Sequence, residues 1–288
     1  MNVLVLGGDG YLGTRISHFF AEKDCFCYRS TVNLNLVGKE GPSFKFVSAK
    51  RNNLCELIIN TKIDIIINTV AMYERKGIDK SSIISANAIF PLSIFPFAIE
   101  HGVKKILTID TSLPKYFNFY SLTKSFAANI GELYSREDKS LFFADIVLEN
   151  FYGPDEPRNR FLHNCVSLLK DDKPLELTVG TQHRDFIYVV DVIEALWTIS
   201  QTNNRGFYRI PVGSGESPTI REVVEYLKEI TCSKSVLNFG AVPQRYNEPS
   251  TKADLTMLNS FGYQIKYTWQ KGMKDCFISS EKLCGGGN

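Results

Sequence analysis

Through the first half of the chain, short apolar runs alternate with longer stretches whose apolar positions recur every three to four residues. NVLVL (2–6) reads as a buried strand, and the segment 11–22 as a helix that opens at a cluster of glycines. CFCY (25–28), FKFV (44–47), the β-branched IDIIINTV (63–70), KKILTID (104–110) and SLFFADIVL (140–148) read as further strands, with helices expected at about 52–60, 81–99 and 119–136. These strands are continuously apolar, so both faces of their sheet are expected to be covered. Their alternation with helices predicts βαβ crossovers and a doubly wound α/β fold on a parallel sheet.

After FYGPDEP (151–157) the pattern becomes less regular. A helix is expected at 160–170, strands at LELTV (175–179) and RDFIYV (184–189), a helix from Asp191, another over 217–230 and a last one near 251–260. This divides the chain into a dinucleotide-binding domain over 1–152, with a returning strand near 184–205, and a smaller C-terminal α/β substrate lobe over 153–288. The most apolar later stretch, 83–99, contains Asn87, Pro91 and Pro96 and falls short of a membrane span, so it reads as a core helix with a proline-marked break. The terminal GGGN is expected to be disordered.

Composition narrows the function. The net charge is +2 and no block of like charges occurs, which argues against nucleic acid as a partner. The seven cysteines (25, 27, 55, 165, 232, 276, 284) include no CxxC pair, and His18, His101, His163 and His183 share no metal-ligand spacing, so no metal is expected. Reduced thiols and an N-terminus that enters a glycine turn at once, without a basic leader, predict a soluble cytoplasmic protein with no membrane partner.

LGGDGYLG (6–13) links the first strand directly to the first helix. Gly7, Gly8, Gly10 and Gly13 suit a tight turn, close approach to a pyrophosphate and close helix–strand packing. With Gly7, Gly10 and Gly13, the residues Tyr11 and Leu12 at the helix start complete a dinucleotide cradle of the Rossmann type. An acidic residue at the end of the second strand would hold the ribose hydroxyls of NAD. Arg29 and Ser30 stand there instead, suited to a 2′-phosphate, so NADPH is expected over NAD. The segment 69–72, Ala71 included, is expected to border the cofactor.

In DTSLPKYFNFYSLTK (110–124), Tyr120 and Lys124 fall one turn apart on a helix. An ammonium near a phenol stabilises the phenolate and so tunes the tyrosine as a proton donor to a carbonyl oxygen. Ser112, with Thr111 as the fallback, could hold that oxygen. The aromatic run Tyr116, Phe117 and Phe119 reads as core more readily than as a ligand platform.

Together these motifs resemble the extended short-chain dehydrogenase/reductases that act on nucleotide sugars. The family's glycine pattern matches Gly7–Gly13, its catalytic Tyr and Lys match Tyr120 and Lys124, and its carbonyl-orienting Ser or Thr matches Ser112. Its Asn-x-Tyr-Gly-Pro stands as Asn150–Pro154, and its Arg-Asp-Phe-Ile-Tyr-Val-x-Asp as Arg184–Asp191. The resemblance implies that Asn150, Arg184 and Arg245 bind the nucleotide sugar, that Asn87 supports the lysine, and that the chain forms a homodimer. Two departures bear on substrate. The link from Ser112 to Tyr120 is much shorter than is usual in the family. Leu113 and Pro114 replace the acid pair of the dehydratases, which excludes dehydration. The short DTSLPK…YSLTK segment is similar to the CDP-abequose and CDP-paratose synthases, implying NADPH-dependent reduction of a CDP-4-keto-3,6-dideoxyhexose for surface polysaccharide. A nucleotide-sugar 4-epimerase with bound NAD, a reductase of a GDP-6-deoxyheptose or dTDP-sugar, and a non-catalytic dinucleotide sensor remain as alternatives. Such a sensor would have no need of an intact Tyr120 and Lys124.

Overall fold

The computed structural model describes residues 1–244 and 247–278, so Arg245 and the terminal GGGN lie outside the described residues. The chain divides into two units, residues 1–148 with 196–210, and residues 149–195 with 211–288.

The first unit carries β1 (Asn2–Leu6), α1 (Tyr11–Ala21), β2 (Phe26–Thr31), β3 (Glu40–Gly41), β4 (Phe44–Ser48), α2 (Arg51–Asn60) and β5 (Ile65–Asn68). Next come α3 (Lys80–Ile84), a π-helical turn (Ser85–Ile89), α4 (Phe90–Glu100), β6 (Lys105–Thr111), α5 (Phe119–Glu137) and β7 (Phe142–Leu148). With β11 (Gly206–Val212) these strands form an eight-stranded sheet in the order β11-β7-β6-β5-β1-β2-β4-β3. The pairs from β4 through β7 are parallel, and the short β3, invisible in the hydrophobic pattern, pairs antiparallel to β4. The chain winds outward from β1 to β4, then returns to β5 and continues the other way. The reversal lies between β1 and β5, where the carboxyl ends of a doubly wound sheet leave a crevice for a ligand.

Alternation along the strands assigns the two faces. Leu4, Leu6, Ile66, Ile106 and Phe143 pack with Leu54 of α2, Ile94, Phe95 and Ala98 of α4, and Ala127 of α5. On α1, Phe20 meets Trp197 edge-on at 5.0 Å. Each such fully buried side chain contributes roughly 1.5–3 kcal/mol. The stretch Lys80–Glu100 is long and apolar enough to cross a membrane by composition, yet Ile83, Ile94, Phe95 and Ala98 are buried among the sheet's core residues, as expected of a core helix. Pro91 does not break it. Pro91 occupies the first turn of α4, where its missing N–H costs little, and the irregularity is the π turn around Asn87.

The second unit contains β8 (Asn150–Tyr152), α6 (Phe161–Lys170), β9 (Leu175–Leu177), β10 (Phe186–Tyr188), α8 (Ile220–Ile230), β12 (Leu237–Phe239), α9 (Thr256–Ser260) and α10 (Trp269–Phe277). α7 (Val189–Ser200) starts in this unit, two residues before the expected Asp191, and ends in the first. β8 pairs with β10 and β9 with β12, both parallel. The core here gathers Leu162, Val166, Leu169, Val223, Val224, Leu227 and Met273. α10 was not legible in the sequence.

Candidate active site

The glycine turn is held from below by β2. Gly7 has φ +76°, a conformation that side chains resist, and its N–H donates to Ser30 Oγ at 3.1 Å while Gly8 N–H donates to Ser30 O at 2.9 Å. At Gly13 a Cβ would stand within 3.0 Å of the carbonyl oxygen of Gly7, so only glycine lets α1 pack this close to the turn. No side chain caps α1, whose N-cap is Gly10. Its first-turn N–H groups therefore fit a pyrophosphate, with Tyr11 and Leu12 at the helix start, as the dinucleotide reading expects. Thr69 borders the same turn, its hydroxyl donating to Leu6 O and Gly7 O.

Arg29 is placed differently from a free 2′-phosphate ligand. It is buried, donates from Nε to Gly8 O at 2.8 Å and from Nη2 to Thr14 Oγ1 at 2.6 Å, and lies 4.3 Å from the Phe46 ring. Burial pushes its pKa down and the nearby Asp9 pushes it back up. Ser30 is likewise buried and occupied with the turn.

Asn118 caps α5 in a reciprocal box with Ser121, accepting from Ser121 N at 2.8 Å. The cap places Tyr120 in the first turn and Lys124 one turn deeper, both buried. The Tyr120 ring stacks on Tyr73 at 4.7 Å. Lys124 Nζ donates to Val70 O at 2.7 Å, and burial lowers its pKa to about 8 against the opposing charges of Asp110 and Asp145. The backbone at Val70 is itself held by Asn68, whose amide donates to Thr108. Asn87 accepts from Met72 N at 2.7 Å and donates to Met72 O and Thr123 Oγ1. It therefore fastens the segment 69–72, Ala71 included, to α5, and the π turn presents its side chain there.

The two hydroxyls at the end of β6 are not equivalent. Thr111 Oγ1 accepts from Leu113 N, closing a local turn, whereas the Ser112 hydroxyl makes no hydrogen bond among the described residues. Of the two, Ser112 is thus the hydroxyl with no described partner. The aromatic run does not form core: Tyr116 is 81% exposed, and Phe117 and Phe119 line an open groove with Glu74, Asn118 and Leu122.

In the second unit, Asn150 is exposed on β8, and its N–H donates to Asp185 O. Arg184 is engaged: Nη2 meets Glu248 at 2.8 Å and Nη1 donates to His183 O. Asp185 pairs not with Arg184 but with Ser214, Gly215 N and Ala253 N. Reasoning from sequence missed Tyr73, Asp110, Asp145 and Arg209. Asp145 had left a signal, being the lone charge in the otherwise apolar strand FFADIVL.

Residues 3–211 match the model of the NAD dependent epimerase/dehydratase family. Over 97% of this chain, and 98% of the relative, the sequence is 27% identical to CDP-abequose synthase of Salmonella muenchen. Among solved structures, MoeE5 in complex with UDP-glucuronic acid and NAD is similar with a TM-score of 0.84 at 20% identity, covering 98% of this chain and 100% of that one. UDP-glucose 4-epimerase from Thermotoga maritima, solved with UDP-glucose, is similar with a TM-score of 0.83 at 19% identity, covering 99% and 100%.

Proposed function

This chain belongs to the NAD dependent epimerase/dehydratase family and is an NAD(P)-dependent enzyme, and from that premise we propose that it is an NADPH-dependent 4-ketoreductase of a nucleotide-linked deoxy sugar. The substrate would be a CDP-4-keto-3,6-dideoxyhexose, reduced in the cytoplasm to a CDP-abequose or CDP-paratose type of product for surface polysaccharide. The observation that carries the reading is the acid assembly at the end of β6: a buried Tyr120 and Lys124 beside a free Ser112 hydroxyl, with Leu113 and Pro114 in place of a second acid and base. Similarity to CDP-abequose synthase over nearly the full length supports the sugar class.

A dinucleotide bound at the glycine turn supplies the hydride. Tyr120 gives its phenolic proton to the C4 oxygen, Ser112 holds that oxygen by a hydrogen bond, and the Lys124 ammonium stabilises the phenolate left behind. Each turnover consumes one proton from solvent, which restores the phenol. Asn150, Arg184 and Arg245 are proposed contacts of the nucleotide sugar. Arg29, standing where NAD enzymes place a carboxylate, supports NADPH.

A second reading, a 4-epimerase with resident NAD, is favoured by one observation: the Arg29 guanidinium is engaged with Gly8 and Thr14 rather than held out for a 2′-phosphate. Loss of reduced-nicotinamide absorbance with CDP-4-keto-3,6-dideoxyglucose separates the two. Stoichiometric oxidation of NADPH, reduced about 10²–10⁴-fold in Tyr120→Phe, is the expected result, with NMR naming the product. Interconversion of C4 epimers without net oxidation would replace the reductase by the epimerase.

A further inference from the structure

Asp110 and Asp145 are buried carboxyls in a parallel sheet whose other strand residues are mostly apolar, and the reaction chemistry above uses neither. Their strands place them together. Asp145 pairs in register with Thr108, and Asp110 lies two residues further along β6, so both project from the same face. That face also carries Ile106 and Phe143, which pack with Ala127 of α5. The two acids therefore lie beneath the helix that bears Tyr120 and Lys124. Arg209 of β11 closes the cluster from the sheet edge, with Nη1 3.0 Å from Asp145 Oδ2 and Nη2 3.7 Å from Asp110 Oδ2.

The cluster is poorly explained as a stabilising device. Asp110 accepts from Thr111 N at 2.7 Å, but neither oxygen of the fully buried Asp145 has a hydrogen bond among the described residues, the Arg209 contact lacking the required alignment. A buried carboxyl in that state is destabilising, and an apolar side chain of similar volume would be more stable. Lys124 has the complementary difficulty. Burial favours its neutral amine, and Asp110 and Asp145 are the groups whose charges oppose that. The charged and titratable groups facing Lys124 are these two acids from β6 and β7, with Arg209 behind them, while α5 itself adds Tyr120.

We propose that Asp110 and Asp145, capped by Arg209, are positioning residues of the active site whose negative charge keeps Lys124 an ammonium and thereby keeps Tyr120 tuned as the acid. This rests on the reductase reading only in taking Tyr120 and Lys124 as the reacting pair. Burial raises both carboxyl pKa values, and the charge of Asp110 raises that of Asp145 further, so the pair gains negative charge as pH rises, which holds the ammonium against deprotonation.

The test uses two readouts on Asp145→Asn, Asp145→Leu and Asp110→Asn. The first is Tyr120 phenolate absorbance against pH, without sugar, with Tyr120→Phe as baseline. The second is the pH profile of kcat/KM for the keto sugar. One charge acting over ~10 Å at an effective dielectric of ~20 moves a titration by about one pH unit. In any folded variant Lys124 should lose its proton at a pH lower by that amount, so the alkaline limb of kcat/KM that reports the ammonium should fall by it, and the phenolate midpoint, no longer held down by the ammonium, should rise, with KM for the sugar unchanged. Asp145→Leu should show the same displacement while melting no lower than the parent. Titrations that coincide with the parent, or a phenolate shift in Asp145→Asn absent from Asp145→Leu, would overturn the positioning role. If the parent fails to reduce the sugar but the phenolate midpoint still moves, the reductase reading falls and the positioning role stands.

Discussion

Gly131 sets how closely the catalytic helix lies on the sheet, and replacing it with alanine opposes two effects of known size. Gly131 is buried on α5, and a Cβ built there would stand within 3.0 Å of three ring carbons of Phe143, where ordinary contacts are 3.4–4 Å. Phe143 has no room to yield: it is fully buried in β7, edge-on to Phe95 at 5.7 Å and stacked on Phe207 at 6.2 Å. Helix propensity favours alanine over glycine by about 1 kcal/mol. Overpacking a closed site costs typically ~1–3 kcal/mol, and with three ring atoms in the way the upper figure applies. The net loss is about 2 kcal/mol, or a fall of ~4–8 °C in Tm at roughly 2–4 °C per kcal/mol. The helix relieves the clash by lifting, which carries Tyr120 and Lys124 with it, and a displacement near ~1 Å lowers kcat by up to ~10²-fold. Calorimetry and steady-state kinetics read the two effects. Gly131→Ala combined with Phe143→Leu should lose less than the two single losses added together, because the smaller side chain makes room for the methyl. A Tm that rises in Gly131→Ala, as propensity alone requires, would refute the close-packing account.

Gly13→Ala should abolish dinucleotide binding, measured by nicotinamide fluorescence titration, because its methyl meets the Gly7 carbonyl. Ser112→Ala should lower kcat by ~10²-fold or more, whereas Thr111→Val should mainly cost the turn bond to Leu113 N, about 1 kcal/mol of stability, with kcat far less affected; equal kinetic losses would remove the distinction between the hydroxyls. Asp145 provides a test of stability against pH. Its folded-state pKa lies above the unfolded value of ~4, so what it contributes to stability is present below pH ~4 and is lost as pH rises through the folded value. The Tm advantage of Asp145→Leu over the parent should therefore widen as pH is raised from ~4, and an advantage independent of pH would contradict the raised carboxyl pKa.

The parts of the fold legible in the sequence were those held by local pattern. Continuous apolar runs marked β1, β5, β6 and β7 because strands buried on both faces have few polar positions to disguise them. The helices expected over 119–136 and 217–230 begin at Phe119 and Ile220, behind capping boxes at Asn118 and Thr219. β3, β11 and α10 escaped because their placement depends on partners distant in sequence: β11 extends the sheet beyond β7, and α10 packs into a core built by α6 and α8. In the site, Gly13, Tyr120 and Lys124 were legible because a helix fixes their spacing. The engagement of Arg29 was not, since it depends on Thr14 and Phe46, brought together by the turn and by β4. Asn87 was read as support for the lysine. Its direct bonds go to the Met72 backbone and to Thr123, from a side chain that the π turn presents.

The shortened connection between β6 and α5 is compatible with catalysis because the cap, rather than the loop, decides where Tyr120 stands. Only residues 112–118 join Thr111 to Phe119. Within them the Asn118 side chain accepts from Ser121 N and its own N–H donates to Ser121 Oγ, so the helix begins at Phe119 whatever precedes it. Tyr120 then occupies the first turn, at the positive end of the helix dipole, and Lys124 lies one turn deeper. Lengthening or shortening the loop changes neither position. What it does change is the wall nearby: the connection leaves Tyr116 in solvent and Phe117 and Phe119 along an open groove. The cap and the groove are thus separate stretches of the same short segment, so the loop can change length while the start of α5 does not.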